Sequence, residues 1–267
     1  MLGLIAVIFL ILGCAGIGLA ILRGLGILKD LNVIERLLWS FVLGVGASGW
    51  MLFFAGIAGG FTSTMVGALT AIGIAAGLYL VRGSLRGNGR SAPAPLRKDW
   101  IDICLLAVIA ITVLFDLAEA FSPPADADTL SYHFALPKQI METGRIIFVP
   151  RAVDGAVPLL LQMTYAAAFV LGGELAASLW VMLTGWAAVA LVYCLVWQHI
   201  GHRGGLIAAL LIASTPAVIY GAGAGQVEMR NALFVLVGTA SLARAVETGA
   251  LRFVVLAAIM AGFFAAA

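Results

Sequence analysis

Charged residues are scarce in this sequence. They make up only 10% of the 267 residues, while hydrophobic residues make up 63%. Charged residues are about a quarter of an ordinary soluble domain, so this scarcity excludes that class. The apolar residues come in runs of roughly 17–25, the length that crosses a hydrocarbon core of about 30 Å. The composition therefore predicts a multi-pass membrane protein. Its net charge of +2, spread over short loops, does not indicate nucleic-acid binding.

Cysteine is also rare, and its pattern does not suggest a disulfide or a metal site. The three residues, Cys14, Cys104 and Cys194, each lie inside an apolar segment without CxxC spacing. Isolated cysteines in apolar segments are typical packing residues. The sequence therefore predicts neither a disulfide nor a cysteine metal site.

The apolar runs predict an all-α polytopic fold with about eight transmembrane helices. Their ranges are 2–22, 37–59, 64–81, 101–120, 174–198, 205–221, 231–246 and 251–267. The stretch 158–172 is apolar but too short to span comfortably, so we interpret it as a juxtamembrane or re-entrant helix that begins at Pro158. Residues 1–100 hold three N-terminal transmembrane helices and a basic linker. Residues 101–267 form the remaining transmembrane core.

The positions of lysine and arginine predict the orientation. The segment 82–98 carries several basic residues between Gly, Ser and Pro, which is typical of a flexible cytoplasmic linker. Eight crossings then place both termini outside and the basic turn 199–205 inside, provided that 158–172 does not cross. The segment 116–157 becomes one large external loop.

The external loop 116–157 is rich in acids for this chain. Loops of this length are usually functional or disordered. Apolar residues at helical spacing, followed by Gly144, predict a surface helix instead of disorder. Asp128 or Thr129 is expected to cap that helix, and the RIIFVP that follows is expected to be extended. Asp126 and Asp128 are open to two interpretations: a cap with a solvated neighbour, or functional carboxylates.

A second polar stretch lies on the same predicted side. GAGAGQVEMRNALF at 221–234 places Glu228 and Arg230 at the start of a helix, after a run of small residues. Ionisable residues at the ends of membrane helices often mark substrate pathways. Two acidic stretches on one side of a chain so poor in acids favour a shared polar cavity.

The stretch ADADTLSYHFALPKQIMETGRI resembles the first external loop of GT-C superfamily membrane glycosyltransferases. The branch it resembles includes protein O-mannosyltransferases and lipid A aminoarabinose transferases. The residues that match the family pattern are Asp128, Tyr132, Pro137-Lys138, Gly144-Arg145-Ile146, Pro158, the HRGG turn, Thr215-Pro216 and Glu228. The resemblance covers about 101–267 and implies a GT-C-like core with juxtamembrane helices in the external loop.

The chain departs from the family pattern in three respects. Glu228 stands where Asp is usual, and Arg230 replaces a small apolar residue. Ala156-Val157 precede Pro158 where some branches have a Lys-Pro-Pro motif, so no lysine stands at this position to bind phosphate. The family continues for several further helices, so the chain is expected to correspond to the N-terminal part of such a protein.

The resemblance implies a glycosyltransferase at the cytoplasmic membrane of a prokaryote. It would move a sugar from a polyprenyl-phosphate donor to a glycan, lipid or protein acceptor on the outer face. Asp128 is the expected general base, and Glu228 would orient the acceptor or hold a divalent cation with Asp128. The residues expected to bind substrate are Asp126, Tyr132, His133, Lys138, Arg145, Arg151 and Arg230. The basic residues are suited to lipid phosphate, with anchoring to membrane lipid headgroups as the alternative, and His133 is open to a purely structural role.

Two functions from other classes remain open. Gly-rich helices such as 44–60 and a re-entrant segment also suit a permease or lipid flippase. Against that function, no charged residue lies mid-span in a predicted helix, whereas transporters place ionisable groups near the midplane. The third alternative is a non-catalytic membrane subunit.

Overall fold

The computed structural model describes residues 1–84, 99–148 and 159–267. Within these ranges the chain forms α-helices and no strand. The helices are α1 Leu2–Gly24, α2 Val33–Ile57, α3 Ser63–Ser84, α4 Trp100–Ala120, α5 Ala135–Thr143, α6 Leu160–Ala213, α7 Pro216–Gly223, α8 Glu228–Thr248 and α9 Leu251–Ala265. The predicted linker from residue 85 onward and Pro158 lie outside the described residues.

The helical membrane-protein class is confirmed. Five helices, α1 to α4 and α6, are long and apolar enough to cross a membrane. The all-helical architecture follows from the absence of water in a bilayer, because a helix satisfies all its backbone hydrogen bonds within one segment. The chain is thus a membrane-embedded multi-pass protein, while the count of eight spans stays a prediction.

The helix α6 is broken at two glycines. Gly173 and Gly201 have φ values of 72° and 85°, which only glycine adopts readily, and they divide α6 into 160–172, 174–200 and 202–213. The first break agrees with the helix end predicted at residues 172 and 173.

The segment 160–172 does not cross the bundle. The Leu160 N–H donates to the Ala266 carbonyl at the end of α9, while Gly172 packs against Gly3 and Ala6 at the start of α1. Leu160 also lies against Gly49 in the second half of α2, and this half meets the start of α1 because the two helices pack antiparallel. Residues 160–169 are buried throughout. Both ends of the segment thus lie towards one end of the bundle, which agrees with a juxtamembrane or re-entrant helix.

One predicted span is wrong. The predicted span 205–221 is interrupted, because α6 ends at Ala213 and α7 begins at Pro216. Proline lacks an N–H and disfavours helical geometry at the residue before it, and Thr215 is extended, with ψ 127°. The predicted helix 101–120 agrees with α4, so the first residues of the predicted external loop 116–157 are helical. We call residues 121–148, the described part of that loop after α4, the external segment.

Glycines bring the backbones of α1, α2 and α3 into direct contact. A Cβ on Gly18 would overlap the Ser40 carbonyl, one on Gly44 would overlap Cys14, and one on Gly16 would overlap Gly73. Small residues at helix interfaces are how membrane helices pack closely without a hydrophobic driving force. The three N-terminal helices therefore form one tightly packed unit.

The N-terminal helices share a core with the rest of the chain. The Phe41 ring lies 5.9 Å from the Trp180 ring of α6, in an edge-to-face arrangement, and Gly49 lies against the backbone of Leu160. The division predicted near residue 100 therefore does not separate two hydrophobic cores, since helices from both sides of it contribute to the same core.

Polar contacts join the predicted cytoplasmic turns at one end of the bundle. Arg244 near the end of α8 donates to Glu35 Oε1 of α2 over 2.6 Å and to Gln198 Oε1 of α6 over 3.0 Å. Arg203 of α6 donates to Asp102 of α4 over 2.9 Å. The predicted external stretches meet at the opposite end, which we call the outer end. Its assignment to the outside of the cell stays a prediction.

Candidate functional site

Asp126 caps the start of the external segment. Its Oδ2 accepts hydrogen bonds from the Thr129 backbone N–H and from Thr129 Oγ1, each over 2.8 Å. Helical geometry begins at residue 127, so Asp126 is the N-cap and Thr129 is the third helical residue, the usual donor to a capping oxygen. The prediction that Asp128 or Thr129 is the cap is therefore wrong.

A π-turn directs His133 into the protein. The Phe134 N–H donates to the Thr129 carbonyl over 2.8 Å, five residues back, and Thr129–His133 is π-helical. Such turns are frequent at functional sites. His133 is buried, and the half-buried Tyr132 ring lies 4.1 Å from it, centroid to centroid. The predicted surface helix follows as α5, and it ends at Gly144 as predicted, in a left-handed C-cap with φ 69°.

The turn between α7 and α8 is hydrogen-bonded to the external segment. The Tyr220 hydroxyl donates to Asp126 Oδ1, and the Gly225 N–H donates to Thr129 Oγ1 over 2.8 Å. Thr129 thus donates to the cap and accepts from the turn. The two polar stretches predicted to share a cavity are brought together through these contacts.

A cavity of about 490 Å³ opens beside this junction. Its polar walls include Glu119 from the end of α4, Asp126, and Tyr220 from α7. The Glu119 carboxylate lies directly against the Cα of Gly223, where any larger residue would displace it. Apolar walls come from the external segment and the α7–α8 turn, including Pro123, Pro124, Phe134 and Ala224. The result is a partly open, acidic cavity with both apolar and polar surfaces.

Burial, hydrogen bonds and nearby charges together shift the pKa values of Asp126 and His133. Partial burial raises the pKa of Asp126, but the hydrogen bonds from Tyr220 and Thr129 outweigh it, so the net pKa lies below the ordinary value. Burial lowers the pKa of His133, opposed by the charges of Glu228 and Asp128 and assisted by that of Arg230. His133 is therefore neutral near neutral pH, and Asp126 is ionised.

Asp128 and Glu228, the two predicted catalytic residues, are both exposed at the outer end. Neither is among the residues lining the acidic cavity. Both carboxylates act electrostatically on His133, which lies behind them. Among the described residues no side chain donates a hydrogen bond to Asp128, so its carboxylate is free to contact an incoming group.

Arg230 is placed differently from its prediction. It is fully buried, and its guanidinium donates to the carbonyls of Val181, Gly221, Ala222 and Gln226. Gly221 and Ala222 belong to the last turn of α7, whose carbonyls have no partner within the helix. The side chain thus ties the end of α7 to α6 and has no donor directed to the outer surface, which argues against direct contact with a lipid phosphate.

The other predicted cations lie at the outer end or outside the described residues. Lys138 of α5 forms an ion pair with Glu174 over 2.6 Å and lies over the Phe169 ring. Arg145 is exposed. Arg151 lies outside the described residues. Lys138 therefore joins α5 to the second segment of α6, while Arg145 is available to an anionic group.

Three residues of the outer end were not predicted as site residues. Glu119 and Tyr220 line the cavity, and the buried Asp116 accepts a hydrogen bond from Trp186 Nε1 over 2.7 Å. The sequence did carry a signal for the two acids, because they stand at the end of an apolar run on the same predicted side as the GAGAG stretch.

A metal site is not evident in the described part of the chain. There, no three His, Cys, Asp or Glu side chains are grouped closely enough to hold a metal ion. The pairing of Asp128 and Glu228 around a divalent cation stays a prediction.

Replacing the cap, Asp126→Ala, is expected to loosen the external segment in a pH-dependent way. Losing a capping oxygen costs about 0.5–2 kcal/mol. Because the folded-state pKa of Asp126 is lowered, its contribution is complete above the unfolded pKa of about 3.9 and is lost as pH falls through the folded value. Melting temperatures of both proteins should therefore differ at pH 7 and begin to converge only as the pH falls below about 3.9. Asp128→Ala is the matched control, and an equal loss there would contradict the assignment.

The fold and this site define a helical multi-pass membrane protein with an acidic cavity at one end of the bundle. No protein-family model, curated protein or solved structure matches the chain. The resemblance to GT-C glycosyltransferases therefore rests on the sequence motif.

Proposed function

We propose that this chain is a GT-C-type glycosyltransferase in the cytoplasmic membrane of a prokaryote. It would transfer a sugar from a polyprenyl-phosphate donor to a glycan, lipid or protein acceptor on the outer face. The observation that supports the proposal is the junction of the external segment with the α7–α8 turn. The Tyr220–Asp126 contact joins residues 94 positions apart, and both stretches carry acids of the family motif.

The position of the charges suits chemistry at an interface. The ionisable residues of the site lie in the external segment or in the first or last two turns of a helix, as Glu119 does at the end of α4. A donor whose isoprenoid tail stays in the membrane presents its sugar phosphate at that level. The apolar walls of the acidic cavity would hold the tail, while Asp128 and Glu228, which are exposed at the same end but outside the lining of the cavity, would act on the sugar and the acceptor.

The residues divide into separate roles under this proposal. Asp128, exposed and without a hydrogen-bond donor in the described residues, is the general base for the acceptor hydroxyl or amine. Asp126 is committed to Thr129 and Tyr220, so it positions the segment. Arg145 is the exposed cation for the leaving phosphate, and Glu228 orients the acceptor.

A transfer assay tests the proposal. Membranes containing the protein are supplied with a labelled polyprenyl-phosphate sugar, and label is measured in glycan, lipid and protein fractions. Loss of a general base costs about 10²–10⁴-fold, so Asp128→Asn is expected to reduce transfer about 100-fold.

The matched control is Glu142→Gln, which neutralises another exposed acid of the external segment, on α5. It is expected to leave transfer unchanged. Full transfer by both Asp128→Asn and Glu228→Gln would exclude these roles, and the absence of transfer by the unchanged chain would exclude the enzyme.

Buried charges favour a permease or flippase as the second candidate. Asp116 lies one turn inward of the cavity and is 3% exposed, and Arg230 is fully buried. Intramembrane ionisable residues commonly mark transport pathways. The same assay separates the two functions, because a permease or flippase moves the labelled compound across the membrane without changing it.

A further inference from the structure

Three buried polar side chains lie beneath the external segment. His133 comes from the π-turn, and Gln162 and Tyr165 come from the start of α6; they are 2%, 2% and 0% exposed. Gln162 Nε2 lies 3.5 Å from His133 Nδ1. Gln162 and Tyr165 are three residues apart, which places them on one face of the helix. The Tyr165 ring lies 6.1 Å from that of Phe134, the neighbour of His133.

Each of these side chains has a polar atom without a partner in the described residues. The atoms are His133 Nε2, Gln162 Oε1 and Tyr165 Oη. A buried polar atom without a hydrogen bond costs about 1–3 kcal/mol, and the large majority of buried polar atoms are paired. Three such atoms from neighbouring side chains point to one shared partner.

The chemistry of the three groups specifies that partner. Gln162 Oε1 only accepts, the Tyr165 hydroxyl donates or accepts, and a neutral imidazole nitrogen does either, depending on its tautomer. The set carries no charge, because burial keeps His133 neutral. A hydroxyl group matches it, since one O–H can donate to Gln162 while its oxygen accepts from Tyr165. An anion does not match these groups, because Gln162 Oε1 is an acceptor and would repel it.

We propose that His133, Gln162 and Tyr165 form a buried site for a hydroxyl group, supplied by an internal water molecule or by a hydroxylated ligand such as a sugar. Internal waters typically occupy such places and make about three hydrogen bonds. The π-turn that carries His133 also carries Thr129, which receives the α7–α8 turn. An occupied site therefore fixes the external segment to α6, and this role does not depend on glycosyl transfer.

The sign of one isosteric substitution tests the site. Tyr165→Phe removes only the hydroxyl, for which the described residues offer no partner. If a bound hydroxyl pairs with it, the melting temperature of the full chain in detergent falls, by about 2–4 °C for a loss of 1 kcal/mol. Gln162→Leu lowers it as well, and the double variant loses less than the sum, because both substitutions break contacts to the same bound group.

Tyr79→Phe is the matched control, because Tyr79 is 75% exposed and its variant is expected to melt as the unchanged protein does. A melting temperature that rises in Tyr165→Phe, with additive effects in the double variant, would show that the site is dry and would overturn the proposal.

The source of the hydroxyl is separated by adding excess glucose as a soluble probe. Excess glucose stabilises both proteins to some extent because it is excluded from their surface, so a bound sugar hydroxyl is recognised by a larger rise in the melting temperature of the unchanged protein than in that of Tyr165→Phe. An internal water gives the same difference between the two proteins with and without glucose. Both results support a hydroxyl site and assign its occupant.

Discussion

Arg230→Gln is expected to unfold the outer end of the bundle, and not merely to weaken ligand binding. The guanidinium donates to four carbonyls that come from α6, the end of α7 and the α7–α8 turn. Glutamine carries two donors on a shorter chain, so at least two of these buried carbonyls lose their partner. Each loss of a hydrogen bond to a charged group costs about 1.5–3 kcal/mol.

The expected total for Arg230→Gln is about 3–5 kcal/mol, the range seen when one side of a buried charged contact is removed. That corresponds to a fall in melting temperature of about 10 °C or more. The fall in melting temperature is measured by heating samples in detergent and following the loss of the monodisperse peak by size-exclusion chromatography. Arg230→Lys is expected to lose nearly as much, since a single ammonium does not reproduce the planar fork of donors.

Arg145→Gln is the matched control for Arg230, because it removes an exposed guanidinium at the same end. It is expected to leave the melting temperature unchanged. If Arg230→Gln melted normally and lost only transfer activity, the original prediction of a phosphate ligand would stand and the structural role would be excluded.

Local signals in the sequence predicted several features of the fold correctly. Long apolar runs identified the five helices that are long enough to cross a membrane, Gly144 ended α5, and the predicted helix end at residue 172 matched the break at Gly173. These features depend on the length of a run or on backbone conformations that glycine alone adopts easily. Thr215-Pro216 also carried a local signal, which the apolar pattern around it obscured.

The features that the sequence did not reveal depend on contacts between distant residues. Asp126 and Asp128 are the same residue type two positions apart, and the hydrogen bonds from Tyr220 and Thr129 identify Asp126 as the cap. From the sequence, Arg230 at the start of a helix is expected at the surface, whereas in the structure α6 and α7 pack around it. The spacing of apolar residues along the chain does not show which backbone carbonyls a side chain such as Arg230 will contact.

Gly18→Val is expected to prevent α1 from packing on α2. A Cβ at Gly18 would overlap the carbonyl of Ser40, and backbone atoms, unlike the end of a flexible side chain, cannot move aside without separating the helices. Overpacking by a few atoms costs about 1–3 kcal/mol and occasionally more. Because valine adds three carbons against backbone, we expect the upper end of that range or a complete loss of folded protein.

Gly67→Val is the matched control, because a Cβ at Gly67 in α3 meets nothing within 4 Å. Purification yield and melting temperature of the two variants measure the difference, and the control should resemble the unchanged protein. The start of α1 packs against Gly172 next to the Gly173 break, and Glu174 there holds Lys138 of α5. Displacing α1 is therefore also expected to loosen the external segment at the acidic cavity. Equal behaviour of the two variants would mean that α1 and α2 do not touch at Gly18, and that the N-terminal helices are not needed to support the site.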